Sequence, residues 1–272
     1  ETGRVHPEWK VAGTITGRWA SSSPNAQNIP GTMKDMFVPR PGNVFVGADW
    51  SALELRLLAL LANAKEMLGI FERGEDLHRM TAASIFEKPP EEITKAQRNL
   101  AKVAEFSFNY SISDNVEPAY AQCVRKNMDV SIRQLQFLRR KWFGIHPELL
   151  RWQKRVQIES RDLGYTEEVF SGRRKYWYDG VVEPNEALNF PVQGLAGTVA
   201  NRAICKIAAQ VDWEKTAIVA MVHDSIVLEV PEADGELWAK RLQEAMEQTL
   251  ELDGRSVFLA AEAEIGYHLG EV

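Results

Sequence analysis

Residues 45–56 read Phe-Val-Gly-Ala-Asp-Trp-Ser-Ala-Leu-Glu-Leu-Arg, and they place an acidic residue where an apolar run gives way to a leucine-rich one. The apolar run predicts a short buried strand that ends at Asp49. The leucines that recur from there predict a helix over residues 51–63, packed behind the strand. A carboxylate at a strand end often only caps the following helix, so Asp49 alone indicates either a cap or an exposed functional group.

A second carboxylate, Asp224, lies at the tip of a predicted hairpin. The apolar runs 217–222 and 226–230 are typical of paired strands, and His223-Asp224 fall in the tight turn between them. An Asp is common in turns, so it has a structural reading too. If Asp49 and Asp224 meet about 4 Å apart, they repel by roughly 4 kcal/mol at an effective dielectric of 20. A cation reverses that repulsion, and oxygen ligands favour Mg²⁺.

The remaining pattern predicts two lobes. Residues 66–185 are mostly helical in pattern, with breaks at Pro89-Pro90, Ser113-Asp114, residues 144–147 and Gly172. Further helices are predicted over residues 193–211 and 234–250, and a last strand over residues 259–265. The fold class is therefore α/β of the α+β type, in which both chain ends build an antiparallel sheet and the middle builds a helical lobe.

One stretch of the helical lobe carries a chemical pattern. Arg98, Lys102, Phe106 and Tyr110 are four residues apart, and four residues advance a helix by about 400°, so they form a slowly drifting stripe. Two cations followed by two aromatic rings suit a nucleotide, with the triphosphate on the cations and the base on Phe106. The alternative is an ordinary helix with a basic solvent face and an aromatic core face.

Composition limits the class of protein. The formal net charge of −6 argues against nucleic-acid binding, but the charge is uneven. Residues 125–175 hold 13 Lys or Arg against 6 Asp or Glu, whereas residues 229–272 hold 3 against 11. The sequence has no run of 18 apolar residues and no signal-peptide pattern, so we expect no membrane insertion and a cytoplasmic, intracellular protein of bacterial, viral or organellar origin. Cys123 and Cys205 are expected to be ordinary buried thiols, and no structural zinc is expected.

Several segments, in the same order along the chain, resemble the bacterial polymerase I family (family A). The residues 49–56 and 221–224 are similar to its first and third polymerase signatures, and residues 74–78 to its Gly-x-Asp-x-His stretch. The stripe of residues 98, 102, 106 and 110 matches the spacing of its fingers helix. Residues 16–18, 24–30 and 189–194 look like its primer-template segments. Glu105 and Ser225 depart from the pattern, where the family usually has Asn and Glu.

The resemblance implies a function and a set of roles. It implies a template-directed DNA polymerase that adds deoxynucleotides to a primer 3′-hydroxyl with two Mg²⁺ ions. The metal ligands would be Asp49, Asp224 and the main-chain carbonyl of Trp50. The nucleotide would be met by His78, Arg98, Lys102, Phe106, Tyr110 and Glu54, with Lys102 also protonating pyrophosphate and Glu54 selecting the deoxy sugar. The primer-template would be met by Arg18, Asn28, Gln193 and His223.

The same resemblance implies a right-hand polymerase architecture. Residues 1–65 and 191–272 would form the palm and residues 66–190 the fingers, without thumb or exonuclease domain. The grip on duplex DNA would then come from further sequence or from a processivity partner. Two alternatives stay open at this point: a catalytically silent nucleic-acid-binding remnant, and a metal nuclease. Read on the residues alone, Glu54 pairs equally well with Arg56 or Arg98, and His223 reads equally well as a satisfied turn histidine.

Overall fold

The computed structural model describes residues 3–111 and 115–272. Its strands are β1 (Glu8–Lys10), β2 (Ala20–Ser22), β3 (Asn43–Trp50), β4 (Tyr165–Glu168), β5 (Arg173–Tyr176), β6 (Ala217–Val222), β7 (Ser225–Pro231), β8 (Gln248–Leu252), β9 (Arg255–Leu259) and β10 (Ala261–Gly266). Its α-helices are α1 (Leu53–Ala62), α2 (Lys65–Glu72), α3 (Leu77–Phe86), α4 (Lys95–Phe108), α5 (Glu117–Arg125), α6 (Ile132–Ile145), α7 (Pro147–Leu163), α8 (Pro184–Ala208) and α9 (Gly235–Met246). The predicted break at Ser113-Asp114 lies outside the described residues.

The central sheet has four antiparallel strands in the order β10-β3-β7-β6. It joins an early strand to three late ones, as predicted for a sheet built from both chain ends. Residues 44–48 of β3 are buried on both faces, which explains why that strand reads as a continuous apolar run. Helix α9 packs on β3 and β10, and the opposite face holds a small cluster of Phe45, Val227 and Leu269. The prediction of a mixed fold with an antiparallel sheet is confirmed.

Helices α1 and α8 connect the sheet to the helical middle of the chain. Nine of the ten residues of α1 are buried, and α1 packs against α2, α7 and α8. Helix α8 begins at Pro184 and contains Pro191, so the predicted start at residue 193 was wrong. A helix boundary was expected at Pro191 because proline lacks an N–H donor. Helix α8 instead continues through Pro191, and most of its residues around that position are buried.

Three two-stranded antiparallel pairs were not predicted, and the first of them joins β1 to β2. Strands β4 and β5 are short and polar, so they lack the apolar alternation that indicates a strand. They pair across Gly172, whose φ is +70°, and Arg174 forms an ion pair with Glu167 across the two strands. Strands β8 and β9 follow α9, which ends at Met246 rather than at residue 250. Apolar residues recur at helical spacing through Leu250, but the backbone is a strand from Gln248 onwards.

The burial of the two cysteines and of His146 can be read directly from the structure. Cys123 is buried as predicted, but Cys205 is exposed, since it lies on the outer face of α8. His146 lies between α6 and α7 and is almost fully buried against Trp142, with ring centroids 4.4 Å apart. Burial disfavours the charged imidazolium and lowers the pKa of His146 to about 4. Within residues 3–111 and 115–272, no helix is long and apolar enough to cross a bilayer.

Candidate active site

Asp49 and Asp224 lie at the same end of the central sheet. Asp49 and Ser225 are Cα partners in the ladder between β3 and β7, and Asp224 precedes Ser225 directly. The N–H of Trp50 donates to the carbonyl of Asp224 at 3.2 Å, which ties the two chain segments together. His223 forms the hairpin tip with a left-handed φ of +52° and is exposed. Two residues distant in sequence therefore meet, as the sequence predicted.

The carboxylates of this pair are perturbed by each other and by their surroundings. The pKa of Asp49 is raised to about 6, because neighbouring atoms displace part of its water and because the charge of Asp224 repels its own. Burial also raises the pKa of Asp224, and Arg18 opposes that rise. Partly desolvated carboxylates that repel each other are suited to a divalent cation.

The protein side chains near Asp49 and Asp224 offer few ligands for a metal ion. In the part of the chain that the structure describes, no three His, Cys, Asp or Glu side chains are grouped so that they could hold a metal ion. Mg²⁺ in phosphate-transfer sites needs only one or two carboxylates, because waters and substrate phosphates complete its shell. The donor set of Asp49 and Asp224 fits that type of site.

Glu54 is the centre of a polar network beside this pair. The guanidinium of Arg18 lies 3.3 Å from Glu54 and 3.1 Å from Asp224. The amide of Gln193 donates to the same oxygen of Glu54 as Arg18, Oε1. The hydroxyl of Tyr110 donates to Oε2 at 3.1 Å. Burial and the charge of Glu54 hold the pKa of Tyr110 well above its usual range. The network thus joins two residues expected at the nucleotide, Glu54 and Tyr110, to two expected at the primer-template, Arg18 and Gln193.

The alternative partners of Glu54 are wrong. Arg56 donates instead to the carbonyls of Ser51 and Phe258, at 2.8 and 2.9 Å. Arg98 pairs with Asp76. Both arginines therefore have other partners, and the oxygens of Glu54 are bound by Arg18, Tyr110 and Gln193.

The segment that carries Arg18 is pressed against α8. A Cβ built on Gly197 would lie 2.9 Å from the carbonyl oxygen of Thr16 and 3.2 Å from the amide nitrogen of Arg18, so only glycine permits this approach. The side chain of Asn201, one turn further along α8, donates to the carbonyl of Gly17. Asn28 lies in a short 3-10 turn, Ala26–Asn28, where its side chain is exposed and outside the Glu54 network.

Helix α4 carries most of the predicted cationic stripe. It starts with a capping box, in which Thr94 and Gln97 cap each other's backbone. Lys102 is exposed, and no salt bridge joins it to any described residue. Tyr110 lies two residues beyond the end of α4, so the stripe is shorter than predicted. At the end of α4, the side-chain amide of Gln153 donates to the carbonyls of Phe108 and Asn109 at 3.0 and 2.8 Å.

Two acidic residues join helices α3 and α4, and neither was among the predicted site residues. Asp76 caps α3 by accepting from the N–H of Arg79 and also forms an ion pair with Arg98. Glu105 is buried in α4, and its carboxylate contacts Nδ1 of His78. An N-cap Asp before α3 was a usable signal for Asp76. No local signal pointed to the contact of Glu105, because it depends on how two helices pack.

Comparisons with known proteins agree with this arrangement. The profile of DNA polymerase family A matches residues 1–271. DNA polymerase I of Aquifex aeolicus (strain VF5) is 32% identical over 268 residues, which cover 97% of this chain and 45% of that protein. The thermostable DNA polymerase I of Thermus aquaticus is 32% identical over 260 residues, covering 90% of this chain and 30% of that protein.

A solved structure is also similar. The POL domain of Pol1 from M. smegmatis, in complex with DNA primer-template and dNTP, superposes with a TM-score of 0.86 at 26% identity. The match covers 99% of this chain and 48% of that one. This chain thus spans less than half the length of the relatives it matches. With a profile match over nearly its whole length and relatives 32% identical to it, the chain belongs to DNA polymerase family A.

Proposed function

We propose that this chain carries the nucleotidyl-transfer site of a template-directed DNA polymerase, which joins deoxynucleotides to a primer 3′-hydroxyl. The observation that carries the proposal is the meeting of Asp49 and Asp224 at one sheet end, beside the Arg18 and Glu54 network. A helix with an exposed lysine and two partly buried aromatic residues at its end belongs to the same core. The M. smegmatis relative, described in complex with DNA primer-template and dNTP, supports the choice of substrates.

Asp49, Asp224 and the main-chain carbonyl of Trp50 would hold the divalent metal. Bound Mg²⁺, as a pair of ions, would lower the pKa of the primer hydroxyl and neutralise charge on the leaving pyrophosphate. The side chain of Trp50 is buried and its indole donates to the carbonyl of Met246, so the backbone at this position is firmly held. Asp49 has to be ionised to bind a cation, and its raised pKa keeps it partly protonated in mildly acidic solution.

The triphosphate would be met by His78, Arg98 and Lys102. Lys102 is the cation of this group that no described side chain neutralises, so its charge is available to an anion and to proton transfer to pyrophosphate. Arg98 forms an ion pair with Asp76, which orients the guanidinium but offsets part of its positive charge. The base would stack on Phe106, and Tyr110 would close the template-base position.

Glu54 would select the deoxy sugar. Arg18, Gln193 and Tyr110 hold its carboxylate from three directions, so its position is fixed before substrate arrives. A fixed carboxylate against the 2′ position leaves no room for a hydroxyl. The same network connects sugar selection to the metal site, since Arg18 also contacts Asp224.

Arg18, Asn28, Gln193 and His223 would meet the primer-template. The first and third lie in the Glu54 network, whereas the exposed Asn28 and His223 would contact DNA further out. In this proposal residues 1–65 and 191–272 act as the palm and residues 66–190 as the fingers. Further sequence or a processivity partner would grip the duplex.

A primer-extension assay with Mg²⁺ at low ionic strength tests the proposal, since weak DNA binding is least limiting there. The expected result is stepwise addition to the primer that requires a complementary template, Mg²⁺ and Asp224. Glu264→Gln, which removes an exposed carboxylate from the neighbouring strand β10, is the matched control and should extend normally. Loss of labelled DNA would favour a nuclease. Inertness of a folded, DNA-binding chain would favour a silent remnant.

A further inference from the structure

Glu105 is a buried carboxylate that the proposed reaction leaves unused. Its side chain is 0% exposed, on the side of α4 that faces α3. One oxygen, Oε2, contacts Nδ1 of His78, whose side chain is 9% exposed. The other oxygen, Oε1, finds no hydrogen-bond partner among the residues that the structure describes. Compensation of this buried charge therefore falls on His78, because an unpaired ionised carboxylate away from water is very unfavourable.

The contact fixes how the imidazole can act. An ionised Glu105 only accepts hydrogen bonds, so in that state Nδ1 donates to it and Nε2 is the ring nitrogen left for a ligand. A neutral ring protonated at Nδ1 would offer a bare lone pair at Nε2, which repels phosphate oxygens. A ring that carries a hydrogen at both nitrogens keeps Nδ1 on Glu105 and offers Nε2–H as a donor to a phosphate oxygen.

The position of His78 puts this donor beside the cationic stripe. His78 lies in the first turn of α3, two residues after Asp76, and Asp76 pairs with Arg98 of the stripe. The ring of His78 lies 6.1 Å from the ring of Phe106, centroid to centroid. Two contacts of opposite polarity, one from Asp76 to Arg98 and one from His78 to Glu105, thus join the two helices beside the proposed triphosphate position.

We propose that Glu105 is a positioning residue for nucleotide binding, which holds Nδ1 of His78 so that a hydrogen on Nε2 meets a phosphate oxygen. This inference rests on the proposed function for the identity of its ligand, a nucleoside triphosphate. It assigns to Glu105 an effect on nucleotide affinity that acts through His78, and no contact of its own with substrate.

Steady-state extension with Glu105→Gln tests the inference, because glutamine keeps the shape and removes the charge. The KM for deoxynucleotide should rise about tenfold, as expected for a lost charge-assisted hydrogen bond, with kcat within about twofold of wild type. Glu105→Asp keeps the charge and should recover most of the affinity. Glu229→Gln is the matched control, since Glu229 is also a buried carboxylate but pairs with Arg40 at the far end of β7. It should lose stability and keep the KM of wild type.

A double variant separates positioning from packing. Glu105→Gln added to His78→Gln should raise the KM no further than His78→Gln does alone, because the two residues act as one unit. Penalties that add in full, or a Glu105→Gln variant with unchanged KM and reduced kcat, would overturn the inference.

The protonation of His78 can be read without any catalysis. In full-length chain labelled with ¹⁵N-histidine, the five ring systems are resolved by NMR and the His78 signals are assigned by their loss in His78→Gln. Inorganic tripolyphosphate serves as the probe. The expected result is a ring protonated at both nitrogens in the complex, whereas a neutral ring protonated only at Nε2 contradicts the inference. A chain that shows the expected ring but extends no primer would instead count against the proposed function.

Discussion

The guanidinium of Arg18 lies 3.1 Å from the carboxylate of Asp224. The same guanidinium is 3.3 Å from Glu54, so one cation bridges a proposed metal ligand and the proposed sugar selector. It also opposes the effect of burial on the pKa of Asp224. Arg18 therefore compensates part of the negative charge that a divalent cation would otherwise neutralise.

Replacing Arg18 by Gln should make the chain more dependent on metal for stability. Both partners are partly exposed, so the lost ion pair should lower the free energy of unfolding by only about 1 kcal/mol, or roughly 2–4 °C in Tm. Added Mg²⁺ should then raise Tm more in the variant than in wild type, because the carboxylates have lost their internal cation. Thermal unfolding across a Mg²⁺ series measures this. Arg40→Gln, which breaks the ion pair with Glu229, should show the wild-type response to Mg²⁺.

Replacing Asp49 by Asn should separate activity from stability. Primer extension should fall by at least about a thousandfold, because a metal ligand that stabilises the transition state is lost. Without metal the Tm should stay equal or rise, because the repulsion between Asp49 and Asp224 is removed. Extension kinetics and thermal unfolding in a chelator give the two values. Asp49 does not cap α1, whose N-cap residue is Ala52, so a variant that unfolds earlier and still extends primers would show that Asp49 has another structural role.

Replacing Gly197 by Ala should damage the site through the backbone. The new Cβ would meet main-chain atoms of Thr16 and Arg18, which cannot rotate away, so the segment that carries Arg18 has to move. We expect a loss of activity and of stability, although alanine favours a helix over glycine by about 1 kcal/mol. Gly144→Ala in α6 is the matched control. Nothing lies within 4 Å of its Cβ, so it should be neutral or stabilising. Equal behaviour of the two variants in unfolding and extension assays would contradict the prediction.

Acidification should destabilise the fold through His146. Its pKa is lowered to about 4 from the model-compound value of 6.5, so the unfolded chain binds more protons between these values. Its contribution is complete above pH 6.5 and is lost progressively as the pH falls towards 4, which amounts to about 2 kcal/mol between pH 7.5 and pH 5. Urea unfolding at both pH values measures it. In His146→Phe, the loss in free energy of unfolding between pH 7.5 and pH 5 should be smaller by about 2 kcal/mol than in wild type. The same loss in both proteins would exclude His146 as its source.

The sequence predicted the parts of the site that depend on local pattern. The run that ends at Asp49 and the hairpin around Asp224 carry period-two or continuous apolar signals, so their elements could be located. The spacing of Arg98, Lys102 and Phe106 located the basic face of α4. The prediction that Asp49 and Asp224 lie at one end of the sheet agrees with the ladder between β3 and β7, in which Asp49 lies opposite Ser225.

The remaining features depend on tertiary contacts without a local pattern. The β4 and β5 hairpin is polar in sequence, and it is held by Glu168, which accepts from Thr198 of α8 and from the N–H groups of Phe170 and Ser171. Tyr110 lies beyond α4, at a helix end where Gln153 of α7 donates to the carbonyls of Phe108 and Asn109. The pairing of Glu105 with His78 requires α3 and α4 to pack in one register, and sequence spacing carries no information about that register.

Strand β3 is an interior strand whose two neighbours, β7 and β10, are made much later. When the segment with Asp49 leaves the ribosome, both hydrogen-bonding edges of β3 are therefore unpaired. They stay unpaired until β7 and β10 have been synthesised. The helical middle can fold in that interval from contacts among its own helices. The sheet end that carries Asp49 and Asp224 is thus among the last of these elements to form, so a chain that stops before β7 lacks it.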